Sequence, residues 1–229
     1  MNINNNNDIY ENSQISKEII YEIFKKNYKT NCGSIISELF YGITEKKICC
    51  KGCNSIKYNY EIFYYFEFRL DLINIFFGKK TNSDLDIFEC FNYYQREEYI
   101  KEKIKTICNY CKKDANLYNS LKIFSLPFYL VIILNRDHGN SYRCKVTYPE
   151  ILDLNDFIIH KEERGILYDL YAIVCHLGPN EMSRHFFSYC RHRMNNKWYL
   201  YNDSVVTECE GCNDLKGFPY ILFYQKINN

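Results

Sequence analysis

The chain has almost no excess charge of either sign: 29 Lys and Arg stand against 28 Asp and Glu, a formal +1 at pH 7. Without such an excess there is no long-range field to hold a polyanion, so nucleic acid is disfavoured as a partner. No stretch reaches the roughly 18 consecutive apolar residues that a bilayer-crossing helix needs, so no membrane partner is expected. The opening run Met1-Asn2-Ile3-Asn4-Asn5-Asn6-Asn7-Asp8 has neither the positive start nor the apolar segment of an export signal. An intracellular protein, in cytoplasm or nucleus, is the expectation.

What is present is aromatic and sulfur-rich. The 229 residues include 23 Tyr, 16 Phe and 12 Cys, with 47% hydrophobic residues overall. A chain of this size fits one domain, or one domain with an insertion, and the aromatics supply ample apolar surface for its core. Disulfide frameworks belong mainly to small secreted domains, so this larger, leaderless chain favours metal binding for its thiols.

Residues 1–14 are polar and rich in Asn, too poor in apolar surface to offset the entropy of ordering, and read as a flexible lead. From Ser16, a candidate N-cap, Ile19, Ile20, Ile23 and Phe24 recur at helical spacing, and Ile35, Ile36, Leu39 and Phe40 suggest a second short helix. The aromatic and β-branched span from Tyr58 to Leu72 predicts one or two strands, and Ser83 to Tyr99 a helix. Phe128 to Leu134, entered after Pro127, predicts a central strand. Further strands are expected at Tyr168 to His176, His185 to Arg191, Lys197 to Tyr201 and Tyr220 to Gln225. The whole reads as α+β with a largely antiparallel C-terminal sheet.

Two Cys-x-x-Cys pairs, Cys50 with Cys53 and Cys108 with Cys111, are separated by 54 residues. Such a turn aims two sulfurs at one point, and two turns complete the tetrahedral shell that Zn²⁺ prefers. Four thiolates leave no open position, so the metal would hold the fold and do no chemistry. Cys209 and Cys212 form a third pair that lacks a matching one, and Cys49 could exchange with Cys50 as a ligand.

A second constellation lies near the C-terminus. If His185 to Arg191 and the strand from Trp198 form a hairpin, Arg191 stands opposite Trp198, and Asn202 becomes a same-face diagonal neighbour of His185. Asp203 then points to the other face, and a slip of one residue exchanges the two. Asn202 is the favoured partner. Its amide oxygen, accepting from Nδ1–H, would leave Nε2 free to take a proton from a nucleophile. The ordinary alternative for a lone histidine is a satisfied, half-buried ring, which is the reading for His138, His160, His176 and His192; His176, near the end of a strand, is placed to line the same cleft as His185 but shows no comparable partner.

The order of these signals resembles the ubiquitin-specific protease family of cysteine deubiquitinases. The resemblance spans roughly residues 30–226. It begins at Ser34-Ile35-Ile36-Ser37-Glu38-Leu39-Phe40-Tyr41-Gly42 and the first cysteine pair, and runs through Leu126-Pro127-Phe128-Tyr129-Leu130-Val131-Ile132-Ile133-Leu134-Asn135-Arg136. It continues with Tyr168-Asp169-Leu170-Tyr171-Ala172-Ile173-Val174-Cys175-His176-Leu177-Gly178 and the segment from His185 to Asp203, and ends in Tyr220-Ile221-Leu222-Phe223-Tyr224.

The resemblance implies a papain-like palm at about 121–229 carrying zinc-ribbon fingers at about 43–120, within a partial domain of residues 15–229 whose thumb is largely missing. It implies His185 as general base, Asn202 as the orienting residue, Asp203 as its supporting neighbour, and Cys50, Cys53, Cys108 and Cys111 as ligands of a structural Zn²⁺. The implied partner is ubiquitin or a ubiquitylated protein. Two departures stand out: Arg184 and Phe186 replace the usual Gly and Tyr around the histidine, and no Asn-Thr-Cys-Tyr-like nucleophile motif occurs, Cys32 not fitting it. The chain is therefore expected either to be completed by an N-terminal part of the same domain carrying the thiol, or to be an inactive ubiquitin-binding or scaffold module.

Overall fold

The structure, a computed structural model, describes residues 17–99, 107–108, 110–113, 117–136, 142–160, 165–177, 185–211 and 215–227. The Asn-rich lead expected at 1–14 lies outside them. Helix α1 (Lys17–Cys32) has Glu18 in its first turn and Lys29 in its last, matching its dipole at both ends. Helix α2 (Ile35–Phe40) starts at a reciprocal cap, in which Ser37 N–H donates to Ser34 Oγ at 3.1 Å and Ser34 N–H to Ser37 Oγ at 2.7 Å.

There follow β1 (Gly42–Cys50), β2 (Ile56–Phe63), β3 (Phe66–Arg69), α3 (Leu70–Phe76), β4 (Leu85–Asp86), α4 (Ile87–Tyr94), β5 (Glu97–Tyr99) and β6 (Leu117–Ser125). The aromatic span from Tyr58 is thus two strands that give way to a helix at Leu70, which with Ile73 and Asn74 is buried. The helix expected over Ser83 to Tyr99 is shorter, because Asp86 caps it by accepting from Phe88 N–H and Glu89 reaches back to Asp86 N–H.

The remaining strands are β7 (Tyr129–Asn135), β8 (Val146–Thr147), β9 (Ile151–Asp153), β10 (Leu167–Leu177), β11 (His185–Arg191), β12 (Trp198–Asn202), β13 (Val205–Cys209) and β14 (Phe218–Lys226). The first sheet has the order β2-β1-β6-β5 and is antiparallel throughout. The second runs β13-β12-β11-β10-β14-β7-β3 with β9 also on β10, antiparallel except where β3 joins β7. This is the mixed α+β architecture that the sequence predicts.

β10 explains the second sheet's stability. Its residues Tyr168, Leu170, Ile173 and Cys175 are completely buried, and it is bonded to β11 on one side and β14 on the other. The main core lies between this sheet and helices α3 and α4, with Phe66 meeting the rings of Phe63, Phe68, Phe91 and Tyr94. A smaller core of Ile20, Ile43, Tyr60 and Phe124 fastens α1 to the first sheet. Beside it the buried Glu45 is met by Lys17 Nζ at 2.6 Å and by the hydroxyl of Tyr60 at 3.3 Å.

Phe66 is 1% exposed. Its replacement by Ala removes a ring from four aromatic contacts and should lower the unfolding free energy by about 3–5 kcal/mol, measured by urea denaturation.

Candidate active site and cysteine cluster

His185 is the first residue of β11, where its backbone pairs with Leu177 of β10. Its ring lies nearly parallel to that of Phe187, two residues on and therefore on the same face, with centroids 6.3 Å apart. The β11–β12 ladder pairs Arg191 with Trp198, Cys190 with Tyr199, Tyr189 with Leu200 and Ser188 with Tyr201. This is the register computed from the sequence. Beyond Tyr201 the backbone ladder stops, and a side-chain contact takes over: His185 Nε2 stands 2.5 Å from Asn202 Oδ1.

The nitrogen differs from the one expected. The expected contact has Nδ1 toward the amide, whereas the structure turns Nε2 to it. The cause is reach, since diagonal neighbours across a strand pair are about 7–8 Å apart and only the ring's distal nitrogen spans that gap. Nδ1 is then the nitrogen left to exchange a proton with another group.

Asp203 does not join this contact by the same route. It is exposed and occupies the turn from β12 to β13 with φ +50°, a left-handed conformation that Asp tolerates better than most residues. His176 is 3% exposed and stands on the opposite face from His185, because it pairs with Phe186 while its neighbour Leu177 pairs with His185. Burial, reinforced by the nearby Arg136 cation, pushes its pKa below the usual imidazole value. Arg184 lies outside the described residues; Phe186 is exposed and packs against His176 and Tyr220.

Sequence reasoning passed over Arg136. It is 1% exposed, and donates through Nε to Pro219 O at 3.1 Å and through Nη1 to Tyr142 O at 3.1 Å and Cys144 O at 2.7 Å. It thereby ties the end of β7 to the start of β14 and to the segment that enters β8. The available signal was a charge placed directly after an apolar strand.

At the other end of the first sheet, Cys50, Cys53, Cys108 and Cys111 place their sulfurs within 4.8 Å of one another. Both pairs are built alike. Asn54 N–H donates to Cys50 O at 2.7 Å and Lys112 N–H to Cys108 O at 2.9 Å, and both donors are left-handed, at φ +57° and +55°. Each turn is closed by a second bond, Cys50 N–H donating to Ser55 O at 3.0 Å and Cys108 N–H to Lys113 O at 3.1 Å. These tight turns keep the sulfurs of each pair side by side.

Cys53 and Cys108 are 3.7 Å apart at sulfur, against about 3.8 Å for two thiolates on a tetrahedral ion with 2.3 Å bonds. The Ser55 hydroxyl and backbone lower the Cys53 pKa. Burial opposes ionisation of Cys108, yet hydrogen bonds from Cys111 and Tyr110 N–H and from Ser55 bring it down to about 6. Burial pushes Cys50 up to about 11. A cluster of four thiols in this geometry could hold one zinc ion. Cys209 is half-buried and apart from this cluster, and its partner Cys212 lies outside the described residues.

A family model described as ubiquitin carboxyl-terminal hydrolase matches residues 2–224. The chain belongs to the ubiquitin carboxyl-terminal hydrolase family. The match starts well before the stretch from about residue 30 in which the resemblance is legible by eye. The chain is 29% identical over 199 residues to ubiquitin carboxyl-terminal hydrolase 17-like protein B of Mus musculus, covering 86% of this chain and 40% of the relative. It is also 29% identical over 205 residues to ubiquitin carboxyl-terminal hydrolase 3 of Homo sapiens, covering 83% and 39%.

Among solved structures it is similar to a SAGA Ubp8/Sgf11/Sus1/Sgf73 DUB module bound to ubiquitin aldehyde, with TM-score 0.69, 23% identity, and coverage of 92% of this chain and 47% of that one. A yeast SAGA DUB module structure gives the same TM-score at 22% identity. These likenesses establish the fold as that of the deubiquitinase domain. The chain spans less than half the length of the relatives it matches.

The contact to Asn202 makes a definite expectation for the neutral imidazole, with the proton on Nε2. Nitrogen-15 NMR of His185 should show a protonated Nε2, and Asn202→Leu should shift the ring toward a mixture of tautomers; a predominantly Nδ1–H ring in the unaltered chain contradicts this geometry.

Proposed function

We propose that this chain forms the palm and fingers of a cysteine-type deubiquitinase, which hydrolyses the isopeptide or peptide bond after the C-terminal glycine of ubiquitin. The observation that carries this reading is the imidazole of His185 held by the amide of Asn202 at the end of β11, in a member of this hydrolase family. A ring fixed through Nε2 offers Nδ1 to a thiol. It can then take the thiol proton as the thiolate attacks the carbonyl and return it to the departing amine, the two duties of the base in Cys-His-Asn hydrolases. Asp203, adjacent in the turn, is the supporting residue.

The thiol itself comes from a segment with the family's nucleophile motif that this sequence does not contain. Ile19, Ile23, Ile35 and Ile36 on α1 and α2 are exposed by 51, 38, 65 and 59%. So much open apolar surface on adjacent helices supports a covering element, and the remainder of the catalytic domain is the occupant in this reading. Ubiquitin as substrate is supported by the ubiquitin aldehyde in the solved neighbour.

The longest in-frame product that contains these residues should cleave a fluorogenic ubiquitin amide, and His185→Ala should lower kcat by about 10²–10⁴-fold. A natural product confined to this chain, binding ubiquitin with no turnover and unaffected by His185→Ala, would assign it instead to the non-catalytic ubiquitin-binding class.

The four-cysteine cluster, in the same reading, holds a structural Zn²⁺ that ties β1 to β6. Metal analysis should return about one zinc per chain, lost in Cys53→Ala and in Cys108→Ala. Chelation should then raise amide exchange in β1, β2 and β6 while β10 and β14 keep their protection. Full metal loading of both variants would sink the assignment.

A further inference from the structure

β13 ends the eight-stranded sheet, and among the described residues it is paired with β12 on one side and with no strand on the other. Which of its backbone groups face outward follows from the hairpin. His192 N–H donates to Lys197 O at 2.8 Å at the base of the β11–β12 loop. Because backbone groups alternate sides along a strand, Tyr199 and Tyr201 turn theirs to β11, and Trp198, Leu200 and Asn202 turn theirs to β13. Their partners Cys209, Thr207 and Val205 are therefore satisfied. Val206 and Glu208 present N–H and C=O to the open side.

Natural sheets usually blunt such an edge with lysine, proline, a bulge or an inward charge. None of these is used here. The ladder with β12 runs through five pairs without a register shift, and the sequence is Val205-Val206-Thr207-Glu208-Cys209. Its one charge, Glu208, is held by Lys197 Nζ at 2.7 Å on the neighbouring strand. Val205 is 60% exposed and Val206 54%, on opposite faces, so a neighbour would find apolar contacts above and below the sheet.

From this edge we infer that β13 is a docking site for an extended segment of a partner protein, which adds to the sheet as a further antiparallel or parallel strand. A strand is the occupant that the chemistry selects, because outward donors and acceptors recurring at every second residue match another strand's spacing, whereas a helix has satisfied its own backbone. The segment should carry β-branched or aromatic residues at alternating positions, opposite Val205, Val206 and Thr207. The site adjoins the candidate active site, since Val205 pairs with Asn202. A strand added there lies two strand spacings, about 10 Å, from β12, so the bound segment runs past the corner that holds His185. This inference does not rest on the chain being catalytic.

The test pans a random peptide display library against the whole 229-residue chain, and follows the recovered peptides by residue-resolved amide exchange. Binding should slow exchange at Val206 and Glu208, while Val205 and Thr207 are already slow without peptide. Val206→Pro and Glu208→Pro remove outward donors but leave the bonds to β12, and each should weaken binding by about tenfold or more. Val206→Lys, which keeps the backbone donor, should weaken it too. The inference is overturned if peptides protect other amides, if binding survives these substitutions, if no alternating sequences are recovered, or if the free chain self-associates with protection at Val206 and Glu208, which would give the edge to a second copy.

Discussion

The register between β11 and β12 is the constraint on which the candidate active site depends. Side chains alternate faces along a strand, so a shift of one residue would carry Asn202 away from His185 and bring the carboxylate of Asp203 in its place. Several interactions oppose that shift. Trp198, 7% exposed, anchors β12 into the core opposite Arg191, and Gly211 lies so close beneath the indole that a Cβ there would come within 2.6 Å of it. Tyr189 is buried and its hydroxyl accepts from Lys216 N–H at 2.8 Å, tying β11 to the segment that enters β14. Arg191 is paired with Asp169 on β10. The contact at His185 is thus fixed by packing several residues away from it.

The two chemical features are held by different sheets and different forces. The palm is held by apolar burial around β10 and by the Arg136 guanidinium, whose three carbonyl partners offset part of the cost of burying its charge. The four cysteines lie where β1 ends and β6 begins, at the end of the first sheet remote from the Ser125-Leu126-Pro127 connection into the palm. That end has few buried apolar residues of its own. Two turns whose sulfurs converge are the kind of staple that such a sparse sheet needs.

Much of this was legible because it is local. The strands around His185, the hairpin pairing and the cysteine turns follow from side-chain alternation and from the short reach of a two-residue loop between thiols. β1 escaped notice because Thr44, Glu45, Lys46 and Lys47 read as polar surface; Glu45 is buried only because Lys17 and Tyr60 meet it from α1 and β2. β13 escaped because its exposed residues show no alternation. The break at Leu70 between β3 and α3, and the parallel pairing of β3 with β7, depend on contacts across the core that no window of sequence contains. The ring nitrogen chosen by Asn202 was missed for want of a distance.

Backbone proximity tests the register directly. In an antiparallel pair, Hα atoms approach closely at positions that are not hydrogen-bonded to each other, which here are Arg191 with Trp198 and Tyr189 with Leu200. Nuclear Overhauser spectroscopy should give strong Hα–Hα cross-peaks for both pairs. A cross-peak joining Tyr189 to Tyr201 or to Tyr199 in their place would mean a slipped ladder and would contradict the placement of Asn202 against His185.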